Sequence, residues 1–286
     1  MTKVLYLILN FKTYSDTIRV TNELLQTDRK DFKILIVDNA SPNESFEEIS
    51  KTFADNEYVD VILSPENGGY AKGNNFGLRY ARKYSPEFVC IMNNDVHFSW
   101  DIIDSLCSIY GKLEKPAIIS PLQKLPDGSI LSFPEMRVPD LCYDIGMYTH
   151  LFRPKQHKYQ SNTEFKNVQR VGFVPGAFLF VNYKVFEDLG FFDESTFLFG
   201  EERFTGKIVQ LAGLSNYLIL DCVYLHEHSK TINLEASHKR QRLMIHRGRI
   251  LYHKRFDKYA ALTVPLLNAL YWWSEFKCFI VRCVKK

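Results

Sequence analysis

The 286-residue chain is 46% hydrophobic and 24% charged, a balance that excludes a disordered polymer and suffices for one large domain with a sizeable core. Its net charge of +3 hides an asymmetry: Lys239 to Lys286 holds 12 Lys and Arg against 2 acids, or +10, while the remainder holds 24 against 31, or −7. No basic-then-apolar leader opens the sequence, and Cys90, Cys107, Cys142, Cys222, Cys278 and Cys283 form no CxxC pair, so a reduced, cytoplasmic protein is expected and not a secreted, disulfide-built or zinc-held one.

Lys3 to Leu9 is a continuous apolar run ending at Asn10, the signature of a strand buried on both faces. A helix from Ser15 or Asp16 to about Leu25 follows, then a second strand, Phe32 to Val37, ending at Asp38. A third strand, Val59 to Leu63, meets Asn67-Gly68-Gly69. A helix over Tyr70 to Tyr84 and a fourth strand over Phe88 to Met92 complete βαβ units, which predict a mostly parallel central sheet flanked by helices. Asp101 to Leu113 reads as a helix, Ala117 to Ser120 as a strand and Asp127-Gly128 as a turn. Residues 134–167 show no long period and read as loops with short strands, a mobile cover. Val171 to Val181 is strand-like around Pro175-Gly176, Lys184 to Leu189 and Glu201 to Ala212 are helical, and Leu214 to Tyr224 returns to strand before His226-Glu227-His228.

The most telling segment is Cys90-Ile91-Met92-Asn93-Asn94-Asp95, a buried strand that stops at a polar cluster. In α/β folds ligands bind beyond the carboxyl ends of the strands, so Asp95 is placed to hold a divalent cation or a phosphate-bearing substrate; a helix cap is the plainer alternative. Gly68 and Gly69 permit close backbone approach and positive φ, and the helix behind them, with Gly73 near its start, offers free N–H groups to an anion. No GxGxxG follows the first strand and no GxxxxGK[ST] occurs, against a dehydrogenase or a P-loop NTPase. Glu201 and Glu202 in an apolar setting suit a base of raised pKa, although acids in a first helical turn also favour the macrodipole. His226 and His228 face opposite ways if extended, so only one of them joins a given site.

In this order, Asp38, Asn67-Gly68-Gly69 to Gly73, Asn93-Asn94-Asp95, Pro175-Gly176-Ala177, Gly190-Phe191-Phe192-Asp193-Glu194, Glu201-Glu202 and His226 make residues 3–230 similar to family 2 glycosyltransferases of the GT-A fold, in particular bacterial rhamnosyltransferase-like members. The resemblance implies a GT-A catalytic domain over 1–230 with a basic, aromatic-rich helical extension over 231–286. It implies an inverting transfer from a nucleotide-diphosphate sugar (dTDP-rhamnose or a UDP-hexose) to a saccharide acceptor, lipid-linked, in surface polysaccharide synthesis. Asp38 would bind the base, with Asn10 nearby. Asn67, Gly68, Gly69, Gly73, Asn93 and Asn94 would line the donor. Asp95, at the end of the family's DxD position, and His226 would hold Mg²⁺ or Mn²⁺. Glu202 would be the general base, with Pro175, Gly176, Ala177 and Glu201 on the acceptor side. Three residues depart from the pattern: Asn93 stands for the first acid of DxD, Glu202 for an aspartate, and Arg203-Phe204 for polar-acidic residues beside the acceptor pocket.

Residues 259–274 carry no charge, yet the run is shorter than the ~20 residues of a membrane span and contains Pro265. Leu266, Leu270, Trp273, Ile280 and Val284 share a helical side on which Lys277 also falls, and Trp with flanking Lys and Arg suits a headgroup region; packing on the body is the alternative. A non-catalytic nucleotide-sugar-binding protein of the same fold is the competing function. A nucleic-acid binder is not expected, because the aromatics beside the basic residues form no stacking sheet.

Overall fold

The structure, a computed structural model, describes residues 2–131, 137–149, 167–227 and 238–284. Its centre is a nine-stranded mixed sheet. The first three strands, β1 (Val4–Asn10), β2 (Phe32–Asp38) and β3 (Val59–Leu63), and β4 (Phe88–Asn93) form a parallel half in the order β3-β2-β1-β4. Beyond β4 the pairing alternates. Short β5 (Val96–His97), β6 (Pro116–Lys124), β7 (Val168–Val171), β8 (Phe178–Asn182) and long β9 (Ser215–His226) continue the sheet as β8-β6-β9-β5, with β7 also on β9. β8 runs antiparallel to β4 and β6, and β9 runs parallel to β6.

Alternation of side chains across the pleat builds two cores from one strand. Val4, Tyr6 and Ile8 of β1 meet one layer, and Leu5 and Leu7 meet the other. The first layer is covered by helices α1 (Tyr14–Leu25), α2 (Ser45–Thr52) and α4 (Asp101–Tyr110). The second is covered by α3 (Gly69–Ala81), α6 (Tyr183–Asp188) and α7 (Glu201–Leu211). A 3₁₀ turn, Arg82–Tyr84, ends α3.

The strand expected over Val171 to Val181 is two strands, β7 and β8. Residues 172–177, with Pro175 among them, lie between the two strands. The loop-and-strand reading of residues 134–167 is corrected at its centre, where α5 (Leu141–Thr149) forms. Leu141, Ile145 and Tyr148 share one side of α5 and pack on two C-terminal helices, α8 (His238–Phe256) and α9 (Ala260–Val284). The expectation of a mobile cover over residues 150–166 lies outside the described residues. Pro265 falls inside α9 and does not delimit it. No helix among the described residues is long and apolar enough to cross a membrane, and Cys90, Cys107, Cys142, Cys222 and Cys278 are free thiols.

Candidate active site

The carboxyl ends of β1, β2 and β4 lie level, with Asn10 opposite Asp38 and Leu9 opposite Asn93. A hydrogen-bonded chain ties these tips together. Asn10 Nδ2 donates to Asp38 Oδ2 (2.7 Å), Thr17 Oγ1 donates to Asn10 Oδ1 (2.7 Å), and Asn94 Nδ2 donates to Thr17 Oγ1 (2.8 Å). Asp38 also accepts from the Ser41 N–H and hydroxyl, both at 2.8 Å. The chain turns after β4 through Asn94 and Asp95 and enters β5, which pairs antiparallel with the end of β9. Val96 therefore sits opposite His226, and the Glu227 N–H donates to the Asp95 carbonyl. That pairing brings together two residues far apart in the chain: His226 Nε2 lies 3.1 Å from Asp95 Oδ1. Gln123, from the neighbouring β6, stands 3.0 Å from the other ring nitrogen, Nδ1, and its Oε1 accepts from the Tyr224 hydroxyl.

Opposite this edge the 172–177 loop delivers Gly176 to the first turn of α7. The Tyr70 hydroxyl donates to the Gly176 carbonyl (2.6 Å), and the Gly176 N–H donates to the Glu202 carboxylate. The α7 helix starts after Gly200, which takes φ +105°, so Glu201 and Glu202 occupy its first turn without capping it. Burial raises the pKa of both carboxyl groups. For Glu201 burial and then the Glu202 charge push it up to about 8, while for Glu202 the N–H groups of residues 176, 200 and 202 oppose the rise. Burial and the neighbouring carboxylate together favour a proton on Glu201 at neutral pH.

One cavity of about 440 Å³ unites these edges. Asn67, Gly69, Asn93, Asn94, Asp95, Pro175, Gly176, Ala177, Glu201, Glu202 and His226 all line it, each of them singled out from the sequence. Asn10, Asp38, Gly68 and Gly73 do not. Asp38 and Asn10 are fully buried behind the wall, their polar atoms engaged with each other, Ser41 and Thr17. Gly73 is a packing glycine, since a Cβ there would come within 2.7 Å of the Leu9 side chain. Gly69 does take positive φ (+82°), but the atom brought close is the Phe197 carbonyl oxygen, 1.9 Å from where a Cβ would stand. The expected anion site at the start of α3 is corrected for the same reason: the Tyr70 N–H donates to Phe197 O and the Gly69 N–H to Asn67 Oδ1.

Asn39 and Tyr70, which fall within runs marked in the sequence, also line the cavity, and so do Phe11, Thr13, Gln123 and Arg240, which were not read from it. Long-range pairing brings these four there, and no local pattern marks them. Arg203 and Phe204, expected beside the acceptor pocket, point the other way. Arg203 stacks on Tyr252 and Phe204 packs on Tyr252 and Phe256, all in α8. His228 lies outside the described residues.

The family model for glycosyl transferase family 2 matches residues 8–190, more than half of the chain. The chain belongs to glycosyl transferase family 2. Among curated relatives of this family-2 chain, the low-salt glycan biosynthesis hexosyltransferase Agl10 of Haloferax volcanii is 27% identical over 59% of this chain and 50% of its own length. The N-acetylglucosaminyl-diphospho-decaprenol L-rhamnosyltransferase of Mycobacterium tuberculosis is 28% identical over 53% of this chain and 51% of its own. The chain thus spans about half the length of the curated relatives it matches. Solved structures give the fold. GalNAc-T7 with UDP, GalNAc and Mn²⁺ superposes with a TM-score of 0.63 at 13% identity, over 80% of this chain and 44% of that one. The mannosyltransferase PcManGT of Pyrobaculum calidifontis, with GDP-Man and Mn²⁺, gives 0.57 at 14% identity, over 94% and 73%. The family-2 fold here is accordingly GT-A, with a curled mixed sheet between helices.

The donor set suits a divalent cation. Asp95 offers a carboxylate and His226 an imidazole within one ion's reach of each other, and borderline cations accept both oxygen and nitrogen. The Gln123 amide nitrogen, 3.0 Å from Nδ1, holds the imidazole with Nε2 turned toward Asp95. No cluster of three His, Cys, Asp or Glu ligands occurs among the described residues, so two protein donors would be completed by substrate oxygens and water.

Proposed function

We propose that the chain transfers a sugar from a nucleoside-diphosphate donor to a saccharide hydroxyl with inversion at the anomeric carbon. The observation that carries this reading is the shared cavity: Asp95 with His226 on one wall and Glu202 on the other, around a space that suits a diphosphate and a sugar. Glu202, held by the Gly176 N–H, accepts the proton of the acceptor hydroxyl. The acceptor oxygen then bonds to the anomeric carbon from the face opposite the diphosphate. The bond from that carbon to the diphosphate oxygen breaks, and its electron pair leaves with the diphosphate. A divalent cation, Mg²⁺ or Mn²⁺, held by Asp95 and His226 would offset the charge that develops there. Neutral Glu201 keeps a second negative charge away from the incoming acceptor.

Relatives named for hexosyl and rhamnosyl transfer support a hexose or 6-deoxyhexose donor, dTDP-rhamnose or a UDP-hexose. The decaprenol-linked acceptor in one of those names supports a lipid-carried saccharide and a surface polysaccharide as the product. The reading places the chemistry in residues 1–230 and attachment in 231–286. It needs Mn²⁺ or Mg²⁺. A panel of nucleotide sugars incubated with Mn²⁺, with and without saccharide acceptors, tests it by release of free nucleotide. One donor turned over, inhibited by EDTA and restored by Mn²⁺, is expected. Binding of a nucleotide sugar without any turnover would instead leave a non-catalytic binding protein.

A further inference from the structure

The last helix reverses the ordinary arrangement of a surface helix, whose polar face meets water. The packed side of α9 presents Thr263, Leu267 and Tyr271 toward α5 and α8, and the Arg242–Glu275 ion pair (2.7 Å) fastens it there. The outward side is the apolar one. Ten positions between Ala261 and Ile280 are exposed, and none carries a polar side chain. Leu262 is 76% exposed, Trp272 64%, Trp273 56% and Phe276 53%. At 100° per residue Leu262, Leu266, Trp273, Phe276 and Ile280 fall in one stripe. A contiguous apolar surface of this kind marks an interaction site.

Charge decides between occupants. The segment from Lys239 onward carries +10, and exposed Lys254, Arg255 and Lys258 lie where α8 hands over to α9. A second copy would bring an equal positive field onto the first, whereas an anionic bilayer complements it. Paired tryptophans beside cations suit the headgroup boundary. The helix is too polar at Asn268, Glu275 and Lys277 to span, so it lies in the plane of the bilayer. Neighbouring α8 also supplies Arg240 and Met244 to the wall of the catalytic cavity, which links the docking helices to the site.

We infer that the outer face of α9 is an in-plane docking surface for anionic membranes, which holds the mouth of the cavity at the lipid–water boundary. The inference deepens the transferase reading, on which it rests for its purpose but not for the binding itself. The full chain is sedimented with phosphatidylcholine vesicles and with mixed phosphatidylcholine–phosphatidylglycerol vesicles. It should pellet with the mixed vesicles, with a blue shift of tryptophan emission. The triple variant Trp272→Ser, Trp273→Ser, Phe276→Ser should partition at least about tenfold less while keeping its Tm and its hydrolysis of soluble donor. No vesicle binding by the wild type, or equal binding by the variant, would overturn the inference. So would a wild-type dimer that the variant converts to monomer without any vesicle binding. Vesicle binding without donor turnover would sink the transferase reading alone.

Discussion

Glu201 and Glu202 show how burial in one cavity raises two adjacent carboxyl groups together. Glu201, its carboxyl pushed from 4.5 to about 8 by burial and then by Glu202, is protonated in the folded protein across the neutral range. The folded state therefore binds more protons than the unfolded chain between those values, and stability from this group falls as pH rises through that window. Glu201→Gln removes the titration, so Tm measured from pH 5 to 8 should fall less steeply in the variant than in the wild type, with the largest gain near pH 8. Parallel profiles would remove the proton from Glu201. Gln123 is the second residue with an outsized role, because it stands against the imidazole nitrogen that faces away from Asp95. Gln123→Leu should weaken Mn²⁺ binding about 10- to 100-fold, read from the free-Mn²⁺ electron paramagnetic signal during titration. Unchanged affinity would show that His226 is oriented without it.

Among the elements, α7 faces two ways. Its first turn presents Glu201 and Glu202 to the cavity, and its next residue, Arg203, reaches into a buried charge cluster. Asp144 of α5 is fully buried and accepts from Arg203 Nη1 (2.7 Å), with Arg249 Nε at 3.1 Å and His253 Nε2 at 2.8 Å from its oxygens. Burial alone would raise the Asp144 carboxyl, but the His253 hydrogen bond and the charges of Arg203 and Arg249 outweigh it and hold it below the usual range. That contribution is present above the unfolded pKa and is lost as acid protonates Asp144. Asp144→Asn leaves two guanidinium groups short of a counter-charge and should cost about 3–5 kcal/mol in denaturant melts. A loss below about 1 kcal/mol would mean that the cluster is solvated.

This cluster also explains what the sequence hid. Arg203-Phe204 departs from the family pattern because α7 is anchored to α8 through these residues, and a partner that distant leaves no local trace. α5 shows no helical period for a related reason: its apolar residues fall all round the helix instead of on one face, and tertiary packing on α8 and α9 stabilises it. α2 was likewise missed between Pro42 and Thr52. β1, β2 and β4 were legible because strands buried on both faces must be apolar without interruption.

At the scale of the whole molecule, the parallel half of the sheet could be read from its βαβ rhythm, and the mixed half could not. Antiparallel insertion of β8 beside β4, and the reach of β9 back to β5, follow from pairing between distant segments. The same pairing sets Asp95 beside His226, so the acid was visible in the sequence while its neighbour was one of two open histidines. Glu202 was visible as well; what the fold adds is that it shares a cavity with Asp95 across more than a hundred residues of chain. Paired binding and turnover assays on Glu202→Gln and Asp95→Asn with the same donor and Mn²⁺ test that convergence most directly. Glu202→Gln should bind donor as the wild type does and lose at least about 100-fold in transfer, whereas Asp95→Asn should lose donor affinity and its response to Mn²⁺. Wild-type turnover by Glu202→Gln, with Asp95→Asn equally unaffected, would contradict the account.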